Sequence, residues 1–94
     1  MLSQIPIQLA KIDKKDIDKE ILRAAVIAEL DAINLYEQMS NLAEDENLKK
    51  VLLDIAREEK THVGEFQTML LMQDKELKEE IENGKKEIEE LFEK

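Results

Sequence analysis

Two runs of apolar residues at helical spacing, joined by the five residues AEDEN (43–47), limit what this 94-residue chain can fold into. In the first run Ile17, Ile21, Leu22, Ala25, Val26, Leu30, Ile33 and Tyr36 mark one helix face, and neither Gly nor Pro interrupts them. The second stripe is Leu48, Leu52, Ile55, Glu59, His62, Phe66, Met69 and Gln73, and its steps alternate four and three like a heptad seam. The spacing predicts a first helix from about Lys14 to Leu42, roughly 43 Å long at 1.5 Å per residue. It predicts a second from about Leu48 to Met72. Asp13, with Asp16 three places on, is expected to cap the first helix. Asp45 or Asn47 is expected to cap the second, with Glu44 and Glu46 at its positive end. A turn this short folds the pair into an antiparallel hairpin. Gly64 lies within the second stripe, where another backbone could approach closely.

The ends read differently. In residues 1–12, Pro6 and the alternating Ile5, Ile7 and Leu9 argue for an N-terminal arm rather than helix. After the hairpin (13–73), residues 74–94 carry nine acidic side chains against five lysines. Asp74 is expected to cap this segment. Leu77, Ile81, Ile88 and Leu91 give it a narrow apolar line, and Asn83-Gly84 is expected to break it. The fold class that follows is all-α: an antiparallel two-helix hairpin plus a short C-terminal helix.

Composition removes whole classes of function. Aromatic residues are 3%, so any core is aliphatic. The net charge is -9, which argues against nucleic acid and against an anionic membrane surface, and suits cations. No cysteine is present, which excludes thiol, iron–sulfur and zinc-finger chemistry. No apolar run reaches the length of a membrane span, and the N-terminus lacks the pattern of a signal peptide, so a cytoplasmic location is expected.

Glu59 and His62 stand where the seam asks for apolar side chains. A carboxylate there costs several kcal/mol unless something compensates. Glu29 is the matching anomaly among Leu22, Ala25, Val26, Ile33 and Tyr36. It lies about 16 residues before the centre of the turn and Glu59 about 14 after it, so equal rise brings them level. Glu on one helix and Glu-x-x-His on the next make half of a di-metal carboxylate site, whose full form takes two of each in a four-helix bundle. Such donors suit iron or manganese, and also admit zinc. A second chain paired about a two-fold axis supplies the other half and covers the open apolar face, so the site is expected between subunits. The competing reading is a buried Glu–His ion pair or a polar register-setting position. Glu58, four residues before His62, is off the seam and expected to face solvent or pair with Arg57 or Lys60. Tyr36, two turns after Glu29, is either a hydrogen-bonding or electron-donating group of the site or a half-buried aromatic with its hydroxyl at the rim. Asp31 and Glu37 are expected to be solvated, and Met39, Met69 and Met72 to pack.

AELDAINLYEQ (28–38) followed by AREEKTHVGEF (56–66) resembles the encapsulated ferritins, ferritin-like iron proteins housed in encapsulin nanocompartments. It is especially similar to the segment that precedes the shell domain in archaeal encapsulin fusions. The resemblance runs from about Ile21 to Leu71 and rests on Glu-x6-Tyr and the later Glu-x2-His. It implies that Glu29, Glu59 and His62 hold two irons across a dimer interface, with Tyr36 as the site tyrosine. It implies a ferroxidase that oxidises Fe(II) with O2. It also implies further assembly into a ring, typically of ten chains, inside an encapsulin shell that stores the mineral. Two features depart from the family. Ala28 and Asp31 leave its secondary cation site half present, and the acidic IEELFEK at the C-terminus does not resemble a cargo-loading peptide. Two other readings stand beside this one: a rubrerythrin-like peroxide-reducing di-iron protein, and a non-catalytic, metal-stabilised helical oligomerisation module.

Overall fold

The computed structural model describes residues 14–93. The expected arm, residues 1–12, and the expected cap Asp13 lie outside the described residues. Three helices follow in order: α1 (Ile17–Leu42), α2 (Glu46–Gln73) and α3 (Lys75–Phe92). Among the described residues there is no strand, and no helix is long and apolar enough to cross a membrane.

Local chemistry sets each boundary. α1 begins three residues later than predicted, with residues 14–16 as a turn and Asp16 at the N-cap. Lys14 and Lys15 would repel the positive end of a helix, whereas Asp18 and Glu20 in the observed first turn complement it. Asp45, not Asn47, caps α2: its Oδ2 accepts the Leu48 N–H at 2.7 Å, and the helix starts two residues early. Asp74 caps α3 as predicted, with Oδ1 accepting the Leu77 N–H at 3.0 Å. The break predicted at Asn83-Gly84 does not occur. Neither glycine has a positive φ, and the Asn83 amide donates to Glu80 at 3.2 Å within the helix. Gly in a helix interior costs only about 1 kcal/mol against Ala, and no following strand or helix demands a turn there.

Contacts across the first pair show its antiparallel sense. Ser40 Oγ donates to the Lys49 carbonyl at 3.2 Å, Lys60 pairs with Glu37 at 3.1 Å, and Arg23 pairs with Asp74 at 2.9 Å. As the α1 number falls, the partner's number rises. The core is small: Leu22, Ala56 and Leu70 are the buried hydrophobic residues among those described. On α2 the buried line therefore runs through Ala56 and Leu70, one position beyond the Ile55 and Met69 of the predicted seam. Met69 remains 52% exposed and Ile55 half-buried. One neighbouring helix can cover only part of so broad a stripe. The outer edge of the hairpin's apolar surface, with Ile27, Leu30, Leu48 and Val51, stays about half exposed.

This packing is testable in two places. Ala56 is only 1% exposed, so Ala56→Leu overpacks the hairpin by about 1–3 kcal/mol; thermal or urea unfolding with intact protein reads the loss. Asp74 is held below the usual carboxylate range, first by the Leu77 N–H and then by the Arg23 guanidinium. A depressed folded-state value gives stability above the unfolded value that is lost as pH falls through the folded one. Amide protection factors at the start of α3, taken relative to the intrinsic exchange rate at each pH, should therefore fall on acidification below the ordinary Asp range. Asp74→Ala should show that lower protection already at neutral pH.

Candidate metal centre

Glu29 projects from the middle of α1, and Glu59 and His62 project from α2 one turn apart. The three-residue spacing on one helix face and the level register of the hairpin bring their ligand atoms within 4.8 Å of one another. His62 Nδ1 is 3.3 Å from Glu59 Oε2 and 3.4 Å from Glu29 Oε2. The two carboxylate side chains are 18% and 19% exposed, and the imidazole 44%.

The cluster has more acceptors than donors. His62 Nδ1 is the one ring nitrogen in contact with the carboxylates and is hydrogen-bonded to Glu59, while Glu29 Oε2, shielded from water, is left with no hydrogen bond. An orphaned carboxylate oxygen beside a second carboxylate is a costly arrangement. A cation held by all three groups removes both the orphan and the like-charge repulsion. Oxygen and imidazole donors together match iron, manganese or zinc, so the residues present fit a transition metal.

A groove of about 360 Å³ opens on the cluster, lined by Glu29, His62, Glu65, Phe66 and Met69. Phe66 and Met69 give it apolar walls. Glu65 is the residue that sequence reasoning missed. It is exposed, three positions after His62, and that spacing is the sign that could have found it. A groove of similar size on α3, about 380 Å³, is lined by lysines, acids and Asn83 without a convergent ligand set. Chemistry rather than volume singles out the first.

Tyr36 is half-buried on α1, seven residues beyond Glu29 and therefore about 10 Å along the helix axis. The structure thus brings Glu29, Glu59 and His62 together and leaves Tyr36 two turns away. Glu58 is exposed; Arg57 pairs instead with Asp54 at 2.9 Å, and Lys60 with Glu37. Arg57 also holds the Asp54 carboxyl below its usual range. Asp31 departs from expectation. It is buried, 6% exposed, and its polar group is engaged, as a buried carboxylate requires.

The Rubrerythrin family profile matches residues 20–94. A ferritin-like-encapsulin shell fusion protein from Pyrococcus furiosus is 62% identical over 72 residues, which are 77% of this chain and 21% of that protein. The chain therefore spans about a fifth of the length of this relative. The crystal structure of an encapsulated ferritin domain from Pyrococcus furiosus superposes with a TM-score of 0.81 at 55% identity, over 97% of this chain and 95% of that one. With its three helices matched to that domain and its Glu and Glu-x-x-His on facing helices, the chain belongs to the rubrerythrin family and has the ferritin-like helical fold of the encapsulated ferritins.

Proposed function

We propose that the chain is a ferroxidase subunit that oxidises Fe(II) to Fe(III) with O2 at a di-iron site shared by two copies. The observation that carries this reading is the unsatisfied Glu29 Oε2 within reach of Glu59 and His62. One chain provides one Glu and one Glu-x-x-His; a two-fold pair provides the full carboxylate–histidine set. Met69, which lines the groove and is 52% exposed, supports pairing on that face, because exposed apolar surface beside a polar cluster is normally covered.

The roles follow from the donors. Glu29 and Glu59 supply anionic oxygens, which favour the harder Fe(III) over Fe(II). His62 adds an imidazole nitrogen donor beside the two carboxylates. Glu65, exposed on the groove, places negative charge where a cation approaches. Bound iron supplies the one-electron chemistry, each Fe(II) yielding one electron to O2. Tyr36 acts from two turns away, as a hydrogen-bonding or electron-donating group of the assembled site. The similarity to a shell fusion supports work inside an encapsulin compartment of the cytoplasm, in iron storage or detoxification, and the family resemblance extends the pair to a ring. A rubrerythrin-like peroxide reductase needs a separate electron-transfer partner, since the chain has no cysteine for a rubredoxin-type centre.

Stopped-flow absorbance after mixing metal-free protein with Fe(II) in air tests the proposal. The wild type should form ferric species well ahead of buffer, and Glu59→Ala or His62→Ala should slow this by about tenfold or more. Tyr36→Phe should slow oxidation while leaving metal binding intact. A wild type no faster than buffer reduces the site to a metal-stabilised oligomerisation module. Binding is read separately by thermal unfolding. Saturation at 100 times Kd adds about 2.7 kcal/mol, so anaerobic Fe(II) or Mn(II) should raise Tm, a chelator should reverse it, and Glu29→Ala should abolish it.

A further inference from the structure

The groove beside the metal cluster holds one side chain whose chemistry the proposed reaction leaves unused. Met69 lines that groove together with Glu29 and His62, and it is 52% exposed. It stands seven residues after His62, two helix turns along, and therefore on the same face of α2. Its thioether is carried on a flexible, unbranched side chain. Met69 also lines an adjoining groove with Asp18 and Gln73, so its side chain meets open space on more than one side.

Composition sharpens this placement. The chain has no cysteine and no tryptophan. Thiols and thioethers are the side chains that mild oxidants convert, so in this chain that reaction falls to methionine. Among the described residues the methionines are Met39, Met69 and Met72. Met39 is half-buried on α1, ten residues beyond Glu29. Met72 is 80% exposed, more open to solvent than Met69, and lines a different groove with Leu71 and Lys78. Of the three, Met69 alone shares a groove with metal ligands.

We propose that Met69 is a peroxide trap for the metal centre, its thioether taking up an oxygen atom from hydrogen peroxide formed at the cluster before the peroxide leaves the groove. This role rests on the ferroxidase reading and gives the same groove a modification site. Oxidation of two Fe(II) delivers two electrons to O2, which with two protons becomes hydrogen peroxide. A lone pair on the Met69 sulfur attacks one peroxide oxygen. The S–O bond forms, the O–O bond breaks, and the second oxygen leaves as water with both protons. Sulfur is oxidised by two electrons and the peroxide is reduced by two. The sulfoxide sets a polar group on the apolar wall of the groove, and methionine sulfoxide reductases restore the thioether.

Exposure and proximity rank the methionines in opposite orders, which makes the test direct. The full chain is oxidised in two ways, and sulfoxide at each methionine is followed by peptide mass spectrometry. Hydrogen peroxide added to metal-free protein arrives from bulk solvent, and Met72 should oxidise ahead of Met69. Peroxide formed during aerobic Fe(II) oxidation arises at the cluster, and Met69 should then oxidise about tenfold ahead of Met72. Catalase in the medium should suppress the sulfoxide at Met72 and spare the one at Met69. Met72 leading in both experiments, or equal loss of both sulfoxides to catalase, overturns the proposal. In Glu59→Ala, where the ligand set is incomplete, aerobic Fe(II) should leave Met72 ahead; Met69 still ahead there also overturns it. Rapid iron oxidation by the wild type with Met69 spared sinks this proposal alone. A wild type no faster than buffer removes the ferroxidase reading, and the source of peroxide with it.

Discussion

The placement of two carboxylates and an imidazole inside an otherwise aliphatic hairpin is the constraint on which the rest of the structure turns. Glu29, Glu59 and His62 interrupt stripes that would pack more cheaply with leucine. Their contacts satisfy Glu59 and leave one oxygen of Glu29 without a donor. A protein interior tolerates such an oxygen where a ligand meets it. The apolar neighbours matter for the same reason. Phe66 and Met69 line the groove beside the cluster with apolar side chains.

The hairpin holds that cluster level. Its turn is fixed at both ends: Ala43 N–H returns to the Met39 carbonyl at 2.9 Å, Asp45 caps α2, and Ser40 reaches across to the Lys49 carbonyl. Small residues set the approach, with Ala56 nearly inaccessible between the helices. At the far end Arg23 and Asp74 tie the start of α1 to the junction of α2 and α3. Between these anchors the helices have little freedom to slide. A shift of one residue on either would carry Glu29 away from His62, because a helix turns about 100° per residue.

The single chain is stabilised by little buried surface for its length, and this links the site to association. Three hydrophobic residues among those described are buried, while the edges of both stripes and the seam of α3 beyond Leu77 remain open. The hairpin edge and α3 expose different chemistry. The first is a broad aliphatic border beside an acidic cluster; the second is a narrow seam bracketed by lysine on one side and glutamate on the other.

Much of this was legible in the residues. Helical periodicity without Gly or Pro marked out α1, the heptad seam marked out α2, and Asp45 and Asp74 marked the starts of α2 and α3. The misplaced polar residues Glu29, Glu59 and His62 announced the site through their near-equal distance from the turn. What local pattern could not supply was the choice among competing neighbours. Asn83-Gly84 looked like a break, but helix geometry absorbs a glycine when no turn is required. The seam on α2 looked centred on Ile55 and Met69; a single packing partner moved burial to Ala56 and Leu70. Asp31 looked solvated and is buried, and Glu65 reached the groove unannounced. The sequence by itself determined the helices and which three polar side chains interrupt their apolar stripes, because periodicity and polarity are local properties. Only the tertiary structure decided which faces are covered and which oxygen lacks a donor, because burial and hydrogen bonding depend on where the other helix lies.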